Sequence, residues 1–219
     1  MSKAFIFDMD GVLVNSEQVW IKYENNLLER ILGKDLSQQI GSTIGVSVNL
    51  VYDKARTLGF SMTREDFQKI YDGVALVVYK EVTITKGVGQ LVEFLVKKDF
   101  KIALVSSSAQ SWINQVLQRL AFKDRFEIVI SVNDRRDLKP KPSPDGYLET
   151  IQRLQSTPDK TIIIEDSNAG IVAAKASGAF TVAFTQNLLD GYKQIEIADA
   201  KAKNMEEVTG IVKNWLKFN

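Results

Sequence analysis

The sequence predicts an α/β protein: a parallel sheet covered by helices on both faces, with a small helical subdomain inserted after the first strand. Three observations lead there. Short, continuous apolar runs recur along the 219 residues, and segments of helical periodicity lie between them. One long stretch near the start has helical patterning and no convincing strand.

The first run, residues 3–9 (KAFIFDM), is apolar almost throughout rather than alternating, as a strand buried on both faces requires. Similar runs at 101–105 (KIALV), 127–130 (EIVI), 161–164 (TIII) and 179–184 (AFTVAF) give four further strands. Residues 88–97 place Val88, Leu91, Val92 and Leu95 on one helical face, and 113–120 do the same with Ile113, Val116, Leu117 and Leu120. Ser143 followed by Pro144 reads as an N-cap with proline at the first helical position, opening a helix through Leu154. Ser167 is placed to cap a helix over 169–177, with Gly178 as its left-handed C-terminal residue. The tail from 199 to 218, with Val208, Ile211, Val212 and Trp215 at helical spacing, reads as a final core helix.

Residues 16–79 break the alternation. Val19, Tyr23, Leu27 and Ile31 fall at helical spacing, as do Phe67, Ile70, Val74 and Val78, with Gly33, Gly41, Gly45, Gly59 and Gly73 as punctuation. Such a stretch is too long for a loop in a compact domain and reads as a helical subdomain.

Composition narrows the chemistry. Lys+Arg number 28 against 27 Asp+Glu, a net charge of +1, which argues against nucleic acid or an acidic membrane as a partner. The chain has no cysteine and no histidine, which removes thiol nucleophiles, thiolate and imidazole metal sites, and Ser-His-Asp catalysis. Any catalysis must use carboxylates, lysine or hydroxyls. The longest apolar run, from Val74 to Tyr79, falls far short of the roughly 20 residues of a membrane span, and no signal-peptide core is visible, so a cytoplasmic protein is expected.

Acidic residues cluster at predicted strand ends. The first strand exits through Asp8-Met9-Asp10-Gly11, and in an open parallel sheet the ligand crevice lies beyond such carboxyl ends. Carboxylates at i and i+2 of an extended chain point the same way and repel unless a cation or a proton intervenes. The fourth strand ends in Glu165-Asp166. These four acids are hard oxygen ligands of the kind that suits Mg²⁺. The second strand runs through Ser106-Ser107-Ser108 into a helix, an anion-binding arrangement. Lys141, fixed toward an extended backbone by Pro142, and the similarly placed Lys139 are both candidates for a fixed positive charge, and spacing does not choose between them.

These residues bring a resemblance into view. Asp8-Met9-Asp10-Gly11-Val12-Leu13 with Asn15-Ser16-Glu17, then Ser106, Lys141-Pro142-Ser143-Pro144-Asp145 and Glu165-Asp166-Ser167-Asn168-Ala169-Gly170, resemble the four motifs of the haloacid dehalogenase superfamily, in the order of its β-phosphoglucomutase-like branch. The resemblance implies a Rossmann-like core over residues 1–15 and 84–219 and a helical cap over 16–83. It implies that Asp8 is the nucleophile that forms an aspartyl-phosphate, and that Asp10 protonates the leaving oxygen and then deprotonates the attacking water. It implies that Asp8, the backbone carbonyl of Asp10, Asp166 and Glu165 hold Mg²⁺. Ser106, the amide of Ser107, and Lys141 rather than Lys139, would grip the transferring oxygens.

Relatives that cleave carbon–halogen or carbon–phosphorus bonds usually lack an acid at the second position, so Asp10 favours a phosphatase or phosphomutase. The mutases of this branch typically carry a cap histidine and an arginine after a Gly-Val-Ser segment. Here Trp20 stands in the histidine's region and Val48 follows Gly45-Val46-Ser47. Ser16-Glu17-Gln18-Val19-Trp20 is similar instead to the segment of sugar-phosphate phosphatases. Trp20 and Gly45 are assigned to the cap's substrate side, although packing of the first cap helix is the plainer role for Trp20, as it is for Trp112. The family's usual Tyr-Pro-Gly-Val return from the cap reads Thr85-Lys86-Gly87-Val88. The expectation is a monomeric Mg²⁺-dependent phosphatase of small phosphorylated metabolites, sugar phosphates above all, with no nucleic-acid or membrane partner. The alternatives are a β-phosphoglucomutase-type mutase and a binder of phosphorylated ligands without turnover.

Overall fold

A computed structural model describes residues 2–41, 43 and 46–218, with the side chain of Asn25 left aside. Six strands form one parallel sheet: β1 (Lys3–Phe7), β2 (Phe100–Ser106), β3 (Phe126–Ser131), β4 (Thr161–Glu165), β5 (Phe180–Phe184) and β6 (Ala200–Ala202). Their spatial order is β3-β2-β1-β4-β5-β6, the Rossmann-like arrangement in which β1 is central. Phe7 lies opposite both Leu104 and Ile164, so the carboxyl ends of β1, β2 and β4 open on one crevice.

Both faces of the sheet are buried. Phe5, Phe7, Ile102, Leu104 and Ile164 belong to a core shared with α5 (Val88–Lys97) and α9 (Met205–Trp215). Ala4, Ile6, Ala103, Val105 and Ile163 face the other way, against α7 (Asp145–Arg153) and α8 (Asn168–Ala176). Successive residues of β1 feed opposite cores, which is why its sequence is continuously apolar. α6 (Gln110–Leu117) follows β2 and begins three residues earlier than its apolar spacing suggests.

Among the described residues between β1 and α5 stand four helices, α1 (Ser16–Leu32), α2 (Lys34–Ile40), α3 (Val48–Thr57) and α4 (Arg64–Glu81). The chain segments entering and leaving them run side by side: Val14 bridges Ile84 in antiparallel sense, and Thr85 N donates to Leu13 O at 2.9 Å. Buried Asn187 ties this pair to the core, donating to Gly11 O at 3.0 Å and to Thr85 Oγ1 at 2.8 Å.

Ser167 caps α8 as expected, accepting from Gly170 N at 3.1 Å, and Gly178 has φ +81°. Two expectations need correction. α7 begins at Asp145, with Pro144 in the capping position and no side-chain cap, because the Ser143 hydroxyl donates to the Asp145 carboxylate at 2.5 Å instead. The tail holds a short strand, β6, before its helix; Ala200-Lys201-Ala202 pairs only with β5 at the sheet edge and carries no apolar run to announce itself.

Candidate active site

Asp8 follows directly on β1, Ser106 ends β2 and Glu165 ends β4, so sheet register alone brings them together. The Asp8 amide donates to Ile164 O at 3.1 Å, and the side chain is buried. Lys141, also buried, donates to Asp8 Oδ1 at 2.6 Å and to Glu165 Oε1 at 2.5 Å. Lys139 is exposed on the surface. Of the two lysines that spacing left open, Lys141 is the one that is buried and ion-paired.

Glu165 is fully enclosed. Tyr147 donates to Oε1 at 2.6 Å, while Oε2 accepts from the amides of Asp166 and Ser167 at 3.1 and 3.3 Å and from the Ser167 hydroxyl at 3.2 Å. Gly170 leaves room for this carboxylate, since a Cβ there would stand 1.9 Å from its atoms. Gly11, at φ +75°, does the same for Asp166: a Cβ would lie 1.8 Å from Asp166 Oδ2.

One carboxylate oxygen from each of Asp8, Glu165 and Asp166 lies within 4.8 Å of the other two. Burial pushes Asp8 well above the usual carboxylate range; Lys141 pulls it back, and Glu165 and Asp10 push it further up. Asp166 is raised in the same direction by burial and by Asp8 and Glu165. Burial alone would lower Lys141, but Asp8 and Glu165 outweigh it and hold the ammonium charged. Among the described residues no hydrogen bond reaches the Asp166 carboxylate, although the residue is only 3% exposed. One ammonium against three buried carboxylates, one without a donor, is a donor set that fits a hard divalent cation.

Asp10 lies in a different setting. Its Oδ1 accepts from Tyr79 Oη on α4 at 2.9 Å and its Oδ2 from Ser108 Oγ at 2.6 Å. Ser108 is fixed in turn: its amide donates to Ser106 Oγ at 3.0 Å and its carbonyl accepts from Ser131 at 2.7 Å. Asp8, Asp10, Ser106, Ser107, Lys141 and Asp166 all line one cavity.

The cavity's other wall comes from the inserted helices. Trp20 is packed between Trp112 and Tyr71, with ring centroids 5.3 and 6.1 Å away, and its indole N–H points to Tyr79 Oη at 3.4 Å. It is therefore a packing residue that also lines the cavity. Trp112 is likewise buried, and donates to Asp72 at 2.7 Å. On α1, one turn beyond Trp20, Glu24 accepts from Thr43 Oγ1 at 2.5 Å and from Tyr71 Oη at 3.0 Å; burial raises its pKa, and the two donors counter the rise. Gly45 lies outside the described residues. The insert is closed onto the sheet side by Tyr79–Asp10, Trp112–Asp72 and a bond from Asn49 Nδ2 to Asn133 O at 3.0 Å.

Sequence reasoning placed Ser108 in an anion-binding turn rather than against Asp10, and missed Tyr79, Tyr147, Glu24 and Asn187. Glu24 carried a signal, standing four residues after Trp20 on one helical face. The others are brought in by packing between distant segments.

Comparison with known proteins bears on the family and the fold. The family model described as haloacid dehalogenase-like hydrolase matches residues 5–184. A phosphorylated carbohydrates phosphatase of Thermotoga maritima is 27% identical, with 98% of this chain and all of that protein covered. A β-phosphoglucomutase of Bacillus subtilis is 28% identical over 84% of each chain. The crystal structure of a β-phosphoglucomutase from Clostridium difficile superposes with a TM-score of 0.79 at 22% identity, covering 100% of this chain and 99% of that one, a likeness of fold.

Proposed function

Because the chain belongs to the haloacid dehalogenase-like hydrolases, as a phosphoric monoester hydrolase or mutase, we propose that it is a Mg²⁺-dependent phosphatase of phosphorylated sugars and related small metabolites, working through an aspartyl-phosphate on Asp8. In this reading residues 16–83 form the cap, and 1–15 with 84–219 the catalytic core.

One observation carries the proposal: two carboxylates two residues apart are held in different environments. Asp8 is buried and ion-paired to Lys141, whereas Asp10 receives hydroxyl donors beside the cavity. Paired acids with divergent surroundings take divergent roles. Asp8 Oδ attacks phosphorus, forming the acyl–phosphate bond as the P–O bond to the leaving group breaks. Asp10 gives its proton to the departing alkoxide and takes one from the water that then hydrolyses the intermediate, regenerating Asp8. Lys141 and the Ser106–Ser107 turn hold the phosphoryl oxygens. Asp8, Asp166 and Glu165, with the Asp10 carbonyl, would hold Mg²⁺, which supplies the positive charge that lets a dianionic phosphate approach Asp8.

The test is phosphate release from a panel of sugar phosphates with Mg²⁺ and with EDTA, together with the mass of acid-quenched protein. A phosphoryl adduct on Asp8, absent in Asp8→Asn, is expected; full activity of Asp8→Asn would overturn the mechanism. The mutase reading draws on the Bacillus relative, and conversion of β-glucose 1-phosphate to glucose 6-phosphate without phosphate release would establish it. A binder without turnover would show neither.

A further inference from the structure

We propose that Glu24 selects the leaving group, so that the cavity accepts singly phosphorylated substrates whose remainder is neutral and hydroxyl-rich or bears an amine, and rejects substrates with a second anionic group. This deepens the phosphatase reading and rests on it.

Charge around the cavity is lopsided. Among the described residues its lining carries five carboxylates, from Asp8, Asp10, Glu17, Glu24 and Asp166, against the one ammonium of Lys141, and that ammonium is already paired with Asp8 and Glu165. The transferred phosphoryl group meets Lys141 and the candidate cation site at the sheet end. The rest of the substrate faces the wall built by α1, α4, Thr43 and Val46. Among the described lining residues that wall has no lysine or arginine, and Glu24 stands in it. A second phosphate, or a carboxylate, would be desolvated against Glu24 with no counter-cation, and like charges so placed repel strongly.

The fixing of Glu24 makes it selective. Thr43 binds one of its oxygens and Tyr71 the other, at 2.5 and 3.0 Å, so the carboxylate is oriented before any ligand arrives. Each carboxylate oxygen has a further lone pair to offer, and only a donor can use it. A sugar hydroxyl or an ammonium donates; a phosphate dianion or carboxylate does not. Trp20, Tyr71 and Trp112 around it present flat apolar surface suited to a ring or carbon chain.

The experiment compares kcat/KM for phosphate release, with Mg²⁺, on p-nitrophenyl phosphate, a hexose or hexitol monophosphate, an amino-sugar monophosphate, a sugar bisphosphate and a phosphorylated hydroxy acid. The neutral and amino monophosphates are expected to exceed the bisphosphate and the phospho-acid at least tenfold. Glu24→Gln, which keeps a carbonyl acceptor and loses the charge, is expected to close that gap at least threefold. Release from no ester at all would defeat the phosphatase reading itself. Release that is equal or faster from the bisphosphate or the phospho-acid would overturn this inference and leave the phosphatase standing. A gap unchanged in Glu24→Gln would remove Glu24 from the role, and the wild-type comparison decides the substrate class even should that variant fail to fold.

Discussion

Tyr79 Oη donates to Asp10 Oδ1 at 2.9 Å, although 69 positions separate the two residues in the chain. The tyrosine sits on α4 and is fully buried, and its hydroxyl also receives the indole N–H of Trp20. The inserted helices thus aim the acid that the proposed mechanism uses. Tyr79→Phe removes a hydrogen bond donated to a carboxylate and the one received from Trp20, an expected stability loss of about 2 kcal/mol. It is also expected to lower kcat about tenfold with KM little changed, because a displaced proton donor weakens the transition state alone. The loss should be steeper for alkyl esters than for p-nitrophenyl phosphate, whose leaving group needs no proton. A plot of log kcat/KM against leaving-group pKa for both proteins checks this, and parallel plots would count against it.

Lys141 is the counter-charge of two buried carboxylates. Lys141→Met leaves both uncompensated, and removing one partner of a buried pair costs about 3–5 kcal/mol. Urea unfolding in EDTA should show that loss, with phosphate release falling about a hundredfold or more. A stability change below ~1 kcal/mol would mean that the pair is weaker than its geometry implies.

Mg²⁺ should stabilise the folded chain without any substrate, since Asp8, Glu165 and Asp166 converge within 4.8 Å and the Asp166 carboxylate has no donor among the described residues. At a hundred times the dissociation constant the gain is about 2.7 kcal/mol. Thermal unfolding across a Mg²⁺ series should show the rise, and Asp166→Asn should abolish most of it.

Two glycines should respond in opposite directions to alanine. Gly170→Ala would drive a Cβ into the Glu165 carboxylate, 1.9 Å away, and so disturb Tyr147 and Lys141 as well; a loss of about 2 kcal/mol or more is expected. Gly73 lies within α4, exposed and with nothing within 4 Å, so Gly73→Ala should stabilise by about 0.5–1 kcal/mol. Denaturant midpoints of the two variants test the pair.

Glu24 provides a pH test with a definite sign. Burial raises its folded pKa above the ordinary 4.5, so the folded state holds its proton more tightly than the unfolded chain does. Its contribution to stability is therefore most favourable below about pH 4.5 and declines as pH rises through the folded pKa. Relative to Glu24→Gln, the wild type should lose stability across that window and level off above it. Urea unfolding of both proteins from pH 4 to 7 measures the difference, and a flat difference would mean that Glu24 is not shifted.

The sequence by itself determined the parallel sheet, the helical insert and the acids at the strand ends. Periodicity places each residue of a buried strand on a face, and parallel register then carries the ends of β1, β2 and β4 to one crevice. Asp8, Asp10, Ser106, Glu165 and Asp166 were legible because each sits at or just past such an end. Only the tertiary structure decided what surrounds them. Lys141 and Lys139 are alike in local sequence, and burial against Asp8 and Glu165 separates them. Tyr79 meeting Asp10, Tyr71 meeting Glu24 and Trp112 meeting Asp72 depend on where α4 meets the segment after β1, α1 and α6. Helical spacing tells which face of α4 is apolar but not which distant residue that face will meet, because crossing angle and depth are set by side chains on both partners.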